Sequence, residues 1–188
     1  MKVGILPIGQ VDTDIMRRIG ENLGRVFPDT MCRVISEKLP LREEAFDKKR
    51  TQYRSTEILS EVQGYASKQT GLNRVLGVVD ADMFVPELNF VFGEAACPGK
   101  AALISLWRLK PEFYGDASNR ELFWERAVKE AVHELGHTLG LRHCSHSSCV
   151  MFFSNSVSDT DRKQSLFCAQ CQLQVSMSIN NLGRYGFG

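Results

Sequence analysis

Three of the four histidines in this chain fall into one spacing, His133-Glu134-x-x-His137-x-x-Gly140-x-x-His143. On an α-helix residues i and i+4 share a face, so His133 and His137 can turn both imidazoles toward a single ion. Glu134 sits beside that face, within reach of a water on the same ion. Gly140 permits the backbone turn that ends the helix, and the chain then reverses to bring in His143 as third ligand. Three protein ligands with a fourth position open is the arrangement of catalytic zinc. A bare H-E-x-x-H arises by accident in unrelated helices, where the Glu is a surface salt-bridge partner. The spaced Gly and third His make such an accident rare.

A second metal signature follows at once. Cys144 and Cys149 form C-x4-C, and Cys168 and Cys171 form C-x-x-C, whereas Cys32 and Cys97 lie far upstream. Two close pairs of thiolates make a closed tetrahedral zinc site of the structural kind. Two disulfides, a redox C-x-x-C and an iron–sulfur cluster are the alternatives. Disulfides fit poorly with a chain that opens without a secretory signal. A redox pair belongs at the first turn of a helix after a strand, and no strand pattern precedes Cys168. The ligands divide into a three-His and a four-Cys set, so two zinc ions per chain are expected.

The stretch from His133 to Cys171 resembles the metzincin clan of zinc peptidases and, within it, the archaemetzincins, which combine this extended motif with four cysteines and an intervening methionine. Gly77-Val78-Val79-Asp80-Ala81-Asp82-Met83-Phe84 and Asn89-Phe90-Val91-Phe92-Gly93 are similar to strand segments of that family. The resemblance implies that Met151 is the Met-turn methionine beneath the catalytic metal; by itself it would be ordinary core filler. It also implies an edge strand above the active helix that pairs with an extended substrate. Asn89, Phe90, Val91, Phe92, Gly93 and Glu94 are the candidates, acting by β-augmentation, with an ordinary hairpin as the alternative. Some metzincins carry a tyrosine just after the Met-turn; here Phe152 and Phe153 follow Met151, so that hydroxyl is missing. Many secreted metzincins carry a propeptide. No propeptide is expected here, and any latency is expected from narrow access or a partner. His146 reads as a loop or supporting residue rather than a ligand.

The 188 residues suffice for one compact domain, and the formal net charge of +1 favours neither nucleic acid nor an anionic membrane as partner. Lys48-Lys49-Arg50 is the densest basic run and reads as a solvated loop. No apolar stretch approaches the roughly 20 residues needed to span a bilayer. Residues 1–9 read as a strand rather than a leader. A cytoplasmic monomer is the expectation.

Strand and helix patterns alternate through the first two thirds of the chain. Val3–Ile8 reads as a strand, and a helix opens at Asp12 or Thr13 and runs to Phe27 with Ile15, Ile19 and Leu23 on one face. Met31–Leu39 reads as a second strand and Leu41–Arg54 as a charged connector. A helix over Thr56–Lys68, a buried strand at Val75–Val79, and two strands at Asn89–Ala95 and Ala101–Leu109 come next. The metal-bearing helix is predicted to begin near Ser118, with Ser118 and Glu121 as a capping box. Ser158-x-x-Asp161 is predicted to cap one final helix carrying Leu166, Phe167, Cys168, Cys171, Leu173 and Met177.

The expected fold is α/β (α+β) and metzincin-like: a twisted mixed sheet with helices, an active-site helix, and a small zinc-stapled helical C-terminal part. One catalytic domain spans 1–188, with an upper part at 1–140 and a lower part at 141–188. The lower part is short and poor in apolar residues, which is why it needs a metal staple. The expected function is zinc-dependent hydrolysis of peptide or protein substrates, narrow in range, with Glu134 as general base. Hydrolysis of a non-peptide amide and a non-catalytic, zinc-stabilised binding module are the alternatives.

Overall fold

A computed structural model describes residues 1–184. The chain order is β1 (Lys2–Ile8), α1 (Thr13–Val26), β2 (Met31–Val34), β3 (Phe46–Asp47), β4 (Gln52–Arg54), α2 (Ser55–Lys68), β5 (Arg74–Val79), β6 (Met83–Phe84), β7 (Gly93–Ala95), β8 (Ala101–Ser105), α3 (Arg120–Thr138), α4 (Val157–Arg162) and α5 (Ala169–Arg184). The main sheet has the order β2-β1-β5-β8-β7, parallel except for β7, which runs antiparallel to β8 at the edge. Alternate residues of a strand face opposite sides, and both sides of this sheet are covered. Val3, Ile5, Leu76, Val78, Ala102 and Ile104 pack with the apolar residues of α1 and α3. Leu6, Ile8, Val75, Val79, Ala101 and Leu103 pack with Ile58, Leu59, Val62 and Ala66 of α2. The expected α/β class with a twisted mixed sheet is the observed one.

Several boundaries differ from the sequence reading. β2 stops at Val34, and Leu39 makes only an isolated bridge to Ile8. The charged connector folds into the β3–β4 hairpin, which joins β6 in a second, three-stranded sheet. Asn89–Phe92 is not strand; the edge strand is confined to Gly93–Ala95. The cap of α3 is Asn119, whose side-chain oxygen accepts from the Leu122 amide at 3.1 Å, rather than Ser118. The capping box near the C-terminus lies two residues earlier than expected, between Ser156 and Asp159.

The expected final helix is two helices. Backbone bonds from Gln164 N to Ser148 O and from Val150 N to Leu166 O tie the intervening segment to the cysteine-bearing loop, which no continuous helix could do. Cys168 therefore precedes α5 rather than riding on it. α5 turns Cys171, Val175 and Ile179 inward at helical spacing, leaving Leu173 and Met177 exposed together with Leu166.

Candidate active site

α3 begins half exposed and becomes buried from Arg126 onward, where it runs between the sheet and the C-terminal segment. Four polar contacts fasten it there. Arg126 donates from Nε and Nη2 to the two carboxylate oxygens of Asp161, each at 2.7 Å. Lys163 Nζ and Thr160 Oγ1 both meet Glu130 Oε1 at 3.0 Å. Both Lys163 and Glu130 are fully sequestered from solvent. Nothing in the local pattern around residues 126–130 marks these pairs, because their partners lie 30 or more positions away.

His133 and His137 project from the last turns of α3. The Nδ1 atom of His133 lies 2.8 Å from Val150 O, and that of His137 lies 2.7 Å from Leu141 O. A carbonyl only accepts, so each Nδ1 carries the proton and each Nε2 presents a bare lone pair. Those two Nε2 atoms lie 3.1 Å apart. Burial pushes both imidazoles below their ordinary pKa, His133 the further, so both are neutral ligands. Two lone pairs facing each other at that distance need a cation between them. Nitrogens bound to tetrahedral zinc lie about 3.3–3.4 Å apart, so the donor set fits the metal. His143 comes within the same cluster, its ring stacked near that of His133 and packed against Phe153.

Two glycines shape this centre. Gly140 takes φ +91°, the left-handed conformation that ends α3 and lets the Leu141 amide return to Gly136 O. Gly136, between the two helical histidines, leaves the space filled by the Met151 sulfur; a β-carbon there would come within 2.5 Å of it. Met151 is fully buried against this turn of the helix.

Glu134 faces the other way, onto β7. A β-carbon on Gly93 would come within 2.5 Å of the Glu134 side chain, so Gly93 is the vacancy in the strand that admits this carboxyl. Burial, reinforced by nearby Glu130, raises the Glu134 pKa well above the ordinary carboxyl range. Glu94, on the same strand, points to the start of α2, where Ser55 Oγ and Thr56 Oγ1 donate to it at 2.5 and 2.9 Å.

Cys144, Cys149, Cys168 and Cys171 converge as expected, and none is in a disulfide. Cys144 Sγ and Cys168 Sγ lie 3.9 Å apart, close to the roughly 3.8 Å between thiolates on a tetrahedral zinc. The amides of Cys168 and His146 donate to Cys149 Sγ and Cys144 Sγ at 3.3 and 3.4 Å. The Cys171 amide holds the Cys168 thiol down to about 7, while burial pushes Cys149 and Cys171 up. Four clustered thiols cannot all ionise without a cation, and this set fits a structural zinc. His146 is exposed and contributes its backbone, not its ring.

The histidines open into a cleft of about 830 Å³ whose walls include residues 88–95, Arg142, Phe153, Ser154 and Asn155. The upper rim is pinned from behind. Arg50 Nη2 donates to Leu88 O and Asn89 O at 2.9 and 2.8 Å, and its guanidinium lies over the Phe84 ring. Asp82 receives a two-pronged Arg108, which stacks on Phe90. Arg50 is thus an anchor, a role the solvated-loop reading of the basic run did not foresee.

Known proteins settle the family. The model of peptidase family M54 matches residues 14–177. The archaemetzincin of Methanocaldococcus jannaschii is 44% identical over 171 residues, 91% of this chain and 90% of that protein. The chain belongs to the archaemetzincin family. The archaemetzincin structure from Methanopyrus kandleri superposes with a TM-score of 0.84 at 35% identity, covering 96% of each chain. A zinc-dependent peptidase from Methanocorpusculum labreanum superposes with a TM-score of 0.83 at 27% identity, over 92% of this chain and 99% of that one. As a member of the archaemetzincin family the chain is a zinc metallopeptidase, with a three-His and a four-Cys cluster compatible with two zinc ions. Among the described residues no helix is long and apolar enough to cross a membrane.

Proposed function

We propose that His133, His137 and His143 hold the catalytic zinc, that Cys144, Cys149, Cys168 and Cys171 hold a structural one, and that Glu134 is the general base of peptide hydrolysis. The observation that carries this reading is the 3.1 Å approach of two lone-pair nitrogens whose other ring nitrogens are engaged by backbone carbonyls. A zinc ion bound there supplies Lewis acidity, polarising a carbonyl and making a water acidic near neutral pH. Glu134 takes the proton of that water as its oxygen bonds to the carbonyl carbon. When the C–N bond breaks, the same carboxyl returns the proton to the leaving amine. Its burial suits the first half of this transfer, since a desolvated carboxylate is the stronger base. Val150 O and Leu141 O keep the histidine rings in the ligand tautomer, a supporting shell that orients them.

An extended peptide lies along the cleft between the free edge of β7 and the wall formed by Arg142–His143 and Phe153–Asn155. Asn89, Phe90, Val91, Phe92, Gly93 and Glu94 line the upper side, with backbone pairing confined to the short strand. The pinned rim favours a narrow range of substrates. The division at about residue 140 belongs to the same reading: the upper part carries the base and two ligands, and the part from Leu141 onward carries His143, the Met-turn and the thiolates. Cytoplasmic location and a monomeric state complete the proposal. The test is cleavage of a mixed peptide library, scored by mass spectrometry, before and after metal removal with dipicolinate and again after zinc is restored. Cleavage that disappears and returns with zinc supports the reading; cleavage indifferent to chelation, or none by the zinc-loaded protein, overturns it.

A further inference from the structure

The charges lining the cleft are unequal in one respect. Glu130 is paired with Lys163 at 3.0 Å, Glu94 is held by the hydroxyls of Ser55 and Thr56, and Glu134 is buried against Gly93. Arg142 is the remaining charged residue of the wall. Among the described residues its guanidinium has no ion-pair, hydrogen-bond or aromatic partner, and the side chain is exposed. Its backbone, by contrast, is fixed on both sides. Leu141 N bonds Gly136 O, Leu141 O receives His137 Nδ1, and Cys144 N bonds Met151 O. An arginine on a rigid turn between two members of the histidine cluster, with five donors unclaimed, matches a carboxylate in charge and in forked geometry. One more donor is free on this wall. Among the described residues Ser154 Oγ is buried without a hydrogen-bond partner, and Ser154 also lines the cleft. Arg142 and Ser154 flank in sequence the His143–Phe153 ring pair, whose centroids lie 4.8 Å apart. A carboxylate has about four acceptor sites, enough for the fork and a hydroxyl together.

We infer that the cleft selects peptides bearing a carboxylate close to the scissile bond, and that Arg142 reads it. The group is either an acidic side chain or the peptide's own C-terminus. This rests on the peptidase reading for the cleft's occupant, and its test is a binding measurement that needs no turnover. Zinc-loaded Glu134→Ala protein is titrated with fluorescein-labelled alanine hexapeptides. One series is amidated and carries Glu or Gln at each position in turn; a second compares the free C-terminal acid with the amide. At one position, or at the terminus, the carboxylate form should bind about tenfold more tightly than its neutral partner, as expected for hydrogen bonds to a charged group. The ratio should shrink as salt rises, because the pair is exposed. Adding Arg142→Gln should bring it close to one, and adding Arg142→Glu should turn the preference toward a Lys-bearing series. Equal affinities throughout, a preference that survives Arg142→Gln, or no binding by any peptide overturns the inference. Selective binding by a protein whose wild type cleaves nothing would sink the peptidase reading and leave standing only the recognition of a carboxylate by Arg142. Cleavage without carboxylate preference would do the reverse.

Discussion

The Nε2 atoms of His133 and His137 approach to 3.1 Å while Val150 O and Leu141 O engage the opposite nitrogen of each ring. The arrangement stabilises a bound cation and, without one, sets two lone pairs against each other. It links the helix to the segment that carries Met151, because the carbonyl on His133 belongs to the residue just before it.

The histidine cluster should therefore be separable from the fold. His137→Ala removes one ligand at the mouth of the cleft and leaves the sheet and its helices untouched. Elemental analysis should fall from two zinc ions per chain to one, with a thermal midpoint within a few degrees of wild type. Loss of both metals, or unfolding, would show that the two sites are not independent.

The cysteine cluster should behave in the opposite way. Cys168→Ser breaks the set that joins the loop after His143 to the start of α5. Metal binding at a structural site is folding free energy, so the thermal midpoint should drop by about 10 °C or more. Differential scanning calorimetry decides this, and an unchanged midpoint contradicts the staple.

Lys163 and Glu130 form a buried pair that joins the end of α4 to α3. Lys163→Met leaves a carboxylate with its cation removed in a closed environment, at a cost of about 3–5 kcal/mol. Lys163→Met combined with Glu130→Met should recover most of that loss in urea titrations. If the double variant is as unstable as the single one, the pair is not what the single substitution disturbs.

The α4 cap makes a pH prediction. Asp159 accepts from the Ser156 hydroxyl and is paired with Arg162, and these contacts hold its carboxyl below the usual range. A folded pKa below the unfolded one contributes stability above the unfolded value, near 3.9. That contribution is lost as pH falls through the lower, folded value. The stability gap between wild type and Asp159→Asn should accordingly be constant from pH 7 to 5 and close below pH 4. A gap that widens on acidification would reverse the sign.

These contacts mark the division between what local spacing conveys and what it does not. His133, His137, Gly140 and His143 are legible because helix period and turn chemistry alone bring them together, and β1, β5 and β8 because burial on both faces leaves apolar runs. Asn119 displaced Ser118 as cap because two capping residues stand side by side and only the true helix start chooses between them. The break before α5 comes from backbone bonds to the cysteine-bearing loop, and an apolar count over Leu166, Leu173 and Met177 cannot register it. Gly93 facing Glu134, Arg50 behind the rim and Lys163 under Glu130 are pairings across 30 or more residues, which leave no periodic trace.

The central claim is that Glu134 moves the proton and does not hold the metal. Glu134→Ala, purified with zinc and assayed on a peptide the wild type cleaves, should keep two zinc ions per chain while kcat falls by about 10²–10⁴-fold, and further if the leaving amine also depends on this carboxyl. Turnover close to wild type at full zinc content would contradict the account, and so would a loss of the histidine-site zinc that by itself explains the fall in rate.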